Sequence, residues 1–413
     1  MDDSIINLWQ YTGEKNPMQE PSVCIVGGGP VGCSIAYTLA KNNKETILFE
    51  QQKKIGKPVQ CAGLVTPRVF DLVPFSTKDI VQTKLKGAHI HAPNGETLSI
   101  GGNKTHAYCI DRQTFDQKMM SEAKKQGAEI KLNQRVFSVQ KQKNIIELTT
   151  SKKQNLKTSL VLGADGPYSK IRDVLDFPSP KEFLYGIGAT VTNTSLESDF
   201  VEIFVGNTIA PGFFAWMIPI TKDGSKAKIG LCIKQNASHP PMHYFKKLFN
   251  HPKTSSFLKN TTIEQKIAGN IPLGPLKKMI DDNIMLAGDA AAQVKPTSGG
   301  GLYPGLIGAK YCAAIAKKAI EKQDFSSSFL QQYQEQWSKE LGWEIKVGMQ
   351  FRKIFTTFQD DQFNKYIKKF KEKNISEIIT EHGDMDFPSK LAKPIFKKMP
   401  SLLKFLPTIL VQH

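Results

Sequence analysis

A glycine turn that directly follows a short apolar run constrains the fold of this chain more than any other feature. The run Val23–Val26 leads into Gly27-Gly28-Gly29-Pro30-Val31-Gly32, which matches G-x-G-x-x-G. Gly27 permits the sharp bend, Gly29 lets backbone N–H groups approach a pyrophosphate, and Gly32 lets the following helix pack closely on the strand. Glu50 ends a second apolar run, where its carboxylate can accept hydrogen bonds from ribose hydroxyls. This order predicts the opening of a doubly wound α/β domain that binds a dinucleotide.

Two later motifs belong with this turn. Asp165 lies in a Gly-Ala-Asp-Gly turn that follows the apolar run Leu160–Leu162. The third motif follows another buried run and contains Gly288, Asp289, Gly300, Gly301 and Leu302. The carboxylate of Asp289 is suited to a ribityl chain, and a helix that begins after the last glycines would stabilise the negative charge of a reduced flavin. The three motifs in this order predict one discontinuous site for a flavin dinucleotide.

The composition of the 413 residues, 40% hydrophobic and 23% charged, is that of a folded protein with a sizeable core. Six cysteines form no C-x-x-C pair, so no metal centre is predicted. The formal net charge of +17 indicates either attraction to a polyanion such as an anionic membrane surface or solvated lysines spread over helix faces. No nucleic-acid-binding module and no apolar stretch long enough to cross a bilayer is found. Without a secretory signal, a cytoplasmic location is expected.

The residue pattern divides the chain into five segments. Short β-rich runs at regular spacing follow the second motif and predict an antiparallel sheet, and the last part of the chain is helical, basic and aromatic. We therefore predict an α/β and α+β protein in which a discontinuous Rossmann-like domain is interrupted by the sheet. The segments are an N-terminal extension at 1–20, the first part of the dinucleotide domain at 21–180, the antiparallel domain at 181–269, the second part of the dinucleotide domain at 270–325 and a helical C-terminal region at 326–413.

The segment Ile55-Gly56-Lys57-Pro58-Val59-Gln60-Cys61-Ala62-Gly63, together with the three motifs, resembles the geranylgeranyl reductases. These belong to the para-hydroxybenzoate hydroxylase-like flavoproteins, and the resemblance extends from about Ser22 to Phe358. It implies FAD as the cofactor. The flavin contacts that it implies are Val31, Glu50, Cys61, Ala62, Leu64, Arg112, Val136, Asp289, Gly301 and Leu302. Arg112 is suited to the pyrophosphate, since a guanidinium offers a two-pronged set of donors.

An aromatic stretch inside the antiparallel segment extends the resemblance. The family motif P-x-x-Y-x-W-x-F-P matches at Pro211, Trp216 and Pro219, with Phe214 in place of Tyr and Ile218 in place of Phe. The resemblance implies that Phe214, Trp216 and Pro219 contact the substrate in an apolar cavity. The same stretch approaches the W-x-W-x-I-P motif of flavin-dependent halogenases. Aromatic hydroxylases commonly carry a His after the Asp289 motif, where this chain has Ala292 and Gln293, and this disfavours a monooxygenase.

The resemblance implies reduction of isolated C=C bonds in the geranylgeranyl chains of archaeal-type lipids. The alternatives are a flavin-dependent monooxygenase or halogenase acting on an apolar or aromatic substrate, and a membrane-associated FAD-binding protein without catalysis. An external donor is required, and NAD(P)H, ferredoxin and reduced deazaflavin are the candidates. Cys61, which the resemblance places at the flavin, either donates a proton or packs as a small apolar group.

The end of the chain predicts peripheral attachment to a membrane. Residues 391–411 mix bulky apolar side chains with lysines and contain Pro394, Pro400 and Pro407, so they are too interrupted to cross a bilayer. Short amphipathic pieces are expected to lie in the headgroup region at the inner face of the membrane. The alternative is a helix pair docked onto the protein itself.

Overall fold

The computed structural model describes residues 22–405, with side chains as far as residue 402. The predicted N-terminal extension at 1–20 and the end of the predicted membrane segment lie outside the described residues. The strands, in chain order, are β1 (Val23–Val26), β2 (Thr46–Phe49), β3 (Leu64–Val65), β4 (Val81–Leu85), β5 (Gly87–His91), β6 (Thr97–Gly101), β7 (Ala107–Ile110), β8 (Glu129–Lys131), β9 (Val136–Gln142), β10 (Ile145–Thr150), β11 (Asn155–Thr158), β12 (Leu160–Gly163), β13 (Glu182–Thr192), β14 (Phe200–Val205), β15 (Phe214–Pro219), β16 (Lys226–Lys234), β17 (Thr262–Leu273), β18 (Ile280–Asp281) and β19 (Ile284–Leu286).

The helices follow the same order along the chain. They are α1 (Pro30–Lys41), α2 (Arg112–Lys125), α3 (Lys170–Val174), α4 (Pro241–Leu248), α5 (Ser255–Leu258), α6 (Leu302–Lys322), α7 (Ser327–Trp337), α8 (Trp343–Thr357), α9 (Asp360–Glu372), α10 (Ile375–His382) and α11 (Ser389–Lys398). Short 3-10 turns span Pro67–Leu72, Gly288–Ala291 and Pro400–Phe405, and a π turn joins α7 to α8. In the part of the chain that the structure covers, no helix is long and apolar enough to cross a membrane.

A six-stranded sheet carries the predicted glycine turn. Its order is β18-β19-β12-β1-β2-β8, and β1 pairs in parallel with both β2 and β12. All four residues of each of these three strands are buried, as expected for a sheet covered on both faces. Helices α1 and α6 pack against each other beside this sheet. The predicted doubly wound fold is confirmed.

A seven-stranded sheet forms the second layer, in the order β17-β13-β16-β15-β14-β5-β6. Its pairs are antiparallel except for β14 with β5. Strands β5 and β6 come from residues 87–101, within the span 21–180 predicted to hold the first part of the dinucleotide domain. Their partner β14 is more than a hundred residues further along the chain, so the local pattern gives no sign of the pairing.

The C-terminal helices pack against both sheets. Trp337 and Tyr333 of α7 are completely buried in the core of the dinucleotide domain, and Tyr333 donates a hydrogen bond to the carbonyl of Leu286 at the end of β19. Helices α9 and α10 contact β6, the edge strand of the seven-stranded sheet. Edge strands expose unpaired backbone groups, so this cover protects the sheet from pairing with other chains.

Candidate flavin and substrate site

The glycine turn after β1 is shaped by close approaches at two of its glycines and by open space at the third. Gly27 has a φ of +106°, and an added Cβ would lie 2.2 Å from the carbonyl oxygen of Ala164. At Gly32 a Cβ would lie 2.0 Å from the carbonyl oxygen of Gly27. At Gly29, by contrast, nothing lies within 4 Å of the Cβ position. The turn therefore brings two loops and a helix together and leaves a cradle in front of Gly29, as a pyrophosphate requires.

Glu50 fixes this turn from the end of β2. Its Oε2 accepts a hydrogen bond from the N–H of Gly28 at 2.6 Å, and its Oε1 accepts one from the N–H of Gln52 at 2.7 Å. Each carboxylate oxygen can accept more than one hydrogen bond, so capacity for ribose hydroxyls remains. The residue lines the cavity described below. Its first role, unseen in the sequence, is to hold the glycine turn.

Arg112 begins α2 and reaches the same cavity. The helix is capped by Asp111, whose side chain accepts hydrogen bonds from the N–H groups of Gln113 and Thr114 at 3.0 and 3.3 Å. The guanidinium of Arg112 donates to Asp116 one turn later, at 3.2 Å from Nε. Sequence reasoning missed Asp116, although its spacing of four residues from Arg112 on a helix was the available signal.

Asp165 lines the cavity, and one of its two carboxylate oxygens is not used by the described part of the protein. Its Oδ2 accepts a hydrogen bond from the N–H of Ile171 at 3.1 Å. Its Oδ1 is buried and has no hydrogen-bond partner among residues 22–405. Burial raises the pKa of this carboxyl group, although hydrogen bonds oppose the shift. A buried oxygen without a partner is costly, so this one is suited to a hydroxyl of a bound ligand.

The third motif closes the site from the opposite side. Gly288 has a φ of +65°, and a Cβ there would come within 2.9 Å of the Val31 side chain, so the first and third motifs touch. A Cβ at Gly301 would lie 2.9 Å from Oδ1 of Asp289. Gly301 is also the residue before α6, whose N-terminal N–H groups carry a partial positive charge at the cavity. The arrangement accepts hydroxyls at Asp289 and negative charge at the helix start.

We expect the binding of FAD to depend on pH because of the carboxyl group of Asp289. Burial raises the pKa of its carboxyl group to about 6, although the charge of Arg112 lowers it. The ionised carboxylate is the better acceptor for ligand hydroxyls, so FAD should bind more weakly as the pH falls below 6, by up to about tenfold per pH unit. Fluorescence titration of the apoprotein with FAD between about pH 5 and about pH 7 measures this.

The matched control is another carboxylate that does not titrate in this range. Asp289→Asn should remove the pH step. Asp223→Asn should leave it in place, because hydrogen bonds from Thr221 and Ser225 lower the pKa of Asp223 to about 2. A step that persists in Asp289→Asn would assign the titration to another group.

The segment that precedes β3 forms a further wall. Cys61, Ala62 and Leu64 all line the cavity, and the N–H of Gly63 donates to the sulfur of Cys61 at 3.3 Å. Behind Gly63 lies the buried Lys228, whose Nζ donates to the carbonyl of Ile110 at 2.9 Å. Sequence reasoning missed this lysine, since a single Lys in a β-rich run carries no distinguishing pattern.

One cavity of about 1010 Å³ joins these segments to an apolar wall. Most of the predicted site residues line it, namely Gly27, Gly29, Val31, Glu50, Cys61, Ala62, Leu64, Arg112, Val136, Asp165, Phe214, Trp216, Asp289, Gly300, Gly301 and Leu302. Gly32 and Gly288 instead pack beneath the lining, as their close approaches require. Pro219 is not brought to the cavity: it is buried at the end of β15, where its carbonyl accepts a hydrogen bond from the hydroxyl of Thr83 at 2.6 Å.

The cavity continues beyond the polar cradle along the seven-stranded sheet. Ala88, Ile203 and Trp216 of this sheet pack in one apolar cluster with Ala62 and Met385. The C-terminal region also lines this cavity, through Gly383, Asp384, Met385, Pro388 and Leu391. No pattern in the sequence indicated that the C-terminal region contributes to the cavity wall. The residues present fit FAD in the cradle and leave an apolar space beside it.

Comparison with known proteins identifies the family. The family model described as FAD binding domain matches residues 20–338. A digeranylgeranylglycerophospholipid reductase of Methanococcus vannielii is 30% identical over 395 residues, which cover 93% of this chain and 96% of that protein. The chain belongs to the digeranylgeranylglycerophospholipid reductase family. It is an FAD-dependent oxidoreductase, as the resemblance in the sequence had indicated.

Other similar proteins match over nearly the whole length of this chain. An uncharacterized protein of Methanocaldococcus jannaschii is 32% identical over 388 residues, with 93% of this chain and 96% of that protein covered. The structure of a geranylgeranyl bacteriochlorophyll reductase-like protein from Thermoplasma acidophilum matches with a TM-score of 0.81 at 21% identity, covering 94% and 99% of the two chains. A mutant of halogenase PltM in complex with FAD matches with a TM-score of 0.70 at 14% identity, covering 94% and 93% of the two chains. At these identities the two structures establish the fold alone.

Proposed function

We propose that this chain uses FAD to add hydrogen across isolated C=C bonds in the geranylgeranyl chains of archaeal-type lipids. The observation that carries the proposal is the single cavity in which the polar cradle of the glycine turn continues into an apolar wall. The names of relatives that match over nearly their whole length support the same substrate class. The halogenase-like alternative has only the shared fold and a partial match to one sequence motif in its favour.

In this proposal the residues of the chain bind the cofactor, orient the substrate and exclude water from the site. The glycine turn, Glu50, Arg112, Asp165 and Asp289 would hold FAD, which when bound supplies the hydride. The apolar wall built around Trp216 would hold the polyprenyl chain. An isolated alkene has little charge to grip, so its positioning against the bound cofactor contributes much of the rate.

The reaction itself is tested by the mass of the product. Reduced anaerobically and mixed with a geranylgeranyl lipid, the protein should yield a product heavier by two hydrogens for each double bond reduced. Incorporation of oxygen or a halogen would overturn the proposal in favour of a monooxygenase or halogenase. Anaerobic mixing with NADH, NADPH, reduced ferredoxin or reduced deazaflavin then identifies the external electron donor.

Cys61 is the residue proposed to deliver the proton from its Sγ atom. We expect Cys61→Ser to retain FAD and to slow reoxidation by the lipid about 100-fold, because a serine hydroxyl is a far weaker acid than a thiol. The measurement is anaerobic stopped-flow absorbance of the flavin. Cys232→Ser is the matched control, since Cys232 is another thiol that lines the cavity. If Cys61→Ser reoxidises at the native rate, the thiol only packs at this position.

We also propose that the protein attaches to the inner face of the membrane through α11. None of the residues of α11 is fully buried, and it carries the exposed lysines Lys393, Lys397 and Lys398. Leu391 of the same helix lines the cavity. A helix with these properties suits the headgroup region, and this position would let a lipid chain enter the cavity without crossing water.

Charge reversal tests the attachment. Because each lysine near an anionic surface contributes about 1 kcal/mol, changing all three to Glu should lower binding to anionic liposomes at least 100-fold in a co-sedimentation assay. The control variant changes Lys124, Lys152 and Lys153 to Glu, which alters the net charge equally at other exposed positions. Equal losses in both variants would indicate general attraction rather than a surface at α11.

A further inference from the structure

An ion network around the buried carboxylate of Asp386 connects the C-terminal region to the turn after β3 and to the loop before α6. Asp386, whose side chain is completely buried, accepts a hydrogen bond from Nζ of Lys295 at 2.8 Å and one from Arg68 at 2.9 Å. Arg68 also forms a two-pronged pair with Asp384, at 2.8 and 2.9 Å. Lys390 donates to the same Asp384 carboxylate at 2.8 Å. We name Asp384 and Asp386 the carboxylate clasp.

The carboxylate of Asp384 in this clasp is ionised at neutral pH. Its burial would raise the pKa, but hydrogen bonds from Arg68 and Lys390 outweigh that effect and lower the pKa to about 2. Asp386 accepts a hydrogen bond at each of its two carboxylate oxygens, from Arg68 at Oδ2 and from Lys295 at Oδ1. The pair Lys295 and Asp386 is therefore the part of the network that faces the third motif.

Lys295 lies directly behind the loop that opens α6. Its N–H donates to the carbonyl of Gly300 at 3.2 Å, and its own carbonyl accepts from Gly299 at 2.9 Å. A Cβ built on Gly300 would come within 2.9 Å of Cε and 3.4 Å of Nζ of Lys295. Gly299 and Gly300 line the cavity. The backbone of the Gly299–Gly301 loop therefore separates the ammonium group of Lys295 from the cavity, next to the N-terminus of α6 with its partial positive charge.

We propose that Lys295 is a positioning residue that adds positive charge behind the Gly299–Gly301 loop, and that Asp386 sets how strongly a bound flavin experiences this charge. Removing the lysine charge should disfavour the anionic reduced form of FAD and lower its midpoint potential. Removing the aspartate charge should raise it. The inference rests on the binding of FAD at the cradle and is independent of the lipid substrate.

The opposite signs of the two shifts form the test. Lys295→Met should lower the midpoint potential of bound FAD, and Asp386→Asn should raise it, each by a factor of about ten in the ratio of affinities for reduced and oxidised flavin, or about 30 mV for a two-electron couple. The double variant should return close to the native value, and Lys295→Arg should stay near it. Dye-coupled spectrophotometric titration without any lipid measures each potential.

A purely structural role would give a different result. Loss of packing would weaken FAD binding in both single variants and would not shift the potential in opposite directions. Shifts of the same sign, or native potentials in both variants with FAD bound, would overturn the inference. If Lys295→Met does not retain FAD, the conservative Asp386→Asn still decides, because an unchanged or lowered potential in that variant contradicts the proposed role.

An ion pair at the other end of α6 supplies the matched control. Lys44 and Glu321 approach to 3.1 Å, and Glu321 is 19 residues beyond the first residue of the helix, or about 28 Å along its axis. Lys44→Met and Glu321→Gln remove the same charges as the test variants. At that distance screening by salt should leave the potential unchanged.

Discussion

Gly29→Leu should abolish FAD binding while leaving the apoprotein folded. The backbone at Gly29 has φ −67° and ψ 177°, which any residue adopts, and nothing lies within 4 Å of its Cβ position. The added side chain would therefore occupy the cradle instead of colliding with the protein. Excluding a ligand by such a clash costs about 3 kcal/mol or more, so the dissociation constant should rise at least about 100-fold. Titration with FAD, followed by flavin fluorescence, measures the loss.

The control places the same side chain at a glycine outside the site. Gly342 has φ −58°, and the nearest neighbour of its Cβ position is the Ser338 side chain at an ordinary 3.4 Å. Gly342→Leu should bind FAD normally, and both variants should melt close to the native apoprotein. A Gly29→Leu protein that retains FAD would show that the pyrophosphate does not lie in front of the glycine turn.

Ala88→Trp should impair use of the lipid without affecting the binding of FAD. Ala88 lines the cavity on β5 and belongs to the apolar cluster that contains Trp216 and Met385. A tryptophan there would fill the space proposed for the polyprenyl chain, at a cost to lipid binding of about 3 kcal/mol. We expect lipid-dependent reoxidation to fall about 100-fold, whereas FAD affinity and chemical reduction of the flavin stay unchanged.

The neighbouring residue on the same strand provides the control. Successive side chains of a strand point to opposite faces, and His89 stacks on Phe200 with ring centroids 4.6 Å apart. His89→Trp adds an aromatic side chain to the face opposite Ala88 and should keep lipid-dependent activity. Native activity in Ala88→Trp would place the lipid elsewhere.

The cradle was the part of the site that the sequence predicted best, since its residues are close together in the chain. The bend at Gly27 and the packing at Gly32 are local requirements, and each carries its own residue type. The open position at Gly29 follows from the same motif. Burial of β1 and β2 could likewise be inferred from four-residue apolar runs.

The C-terminal contributions could not be inferred in this way. Lys295 meets Asp386 across 91 residues, and Arg68 meets Asp384 across 316. A lysine between Asp289 and the glycines at 299–301, and two aspartates in a helical region, are ordinary solvated residues by their local pattern. Only the packing of the C-terminal region against the rest of the fold brings these charges together, and such packing depends on the whole chain.

The position of the β5–β6 hairpin has a consequence for how the chain assembles. The seven-stranded sheet needs residues 87–101 from one side of β12 and residues 182–273 from the other, while the six-stranded sheet is completed only by β18 and β19 after that. Neither sheet can be built from a continuous stretch of chain. Both layers therefore depend on pairing between distant parts of the chain, which is slow to form, and a fragment that ends before β18 cannot complete the six-stranded sheet.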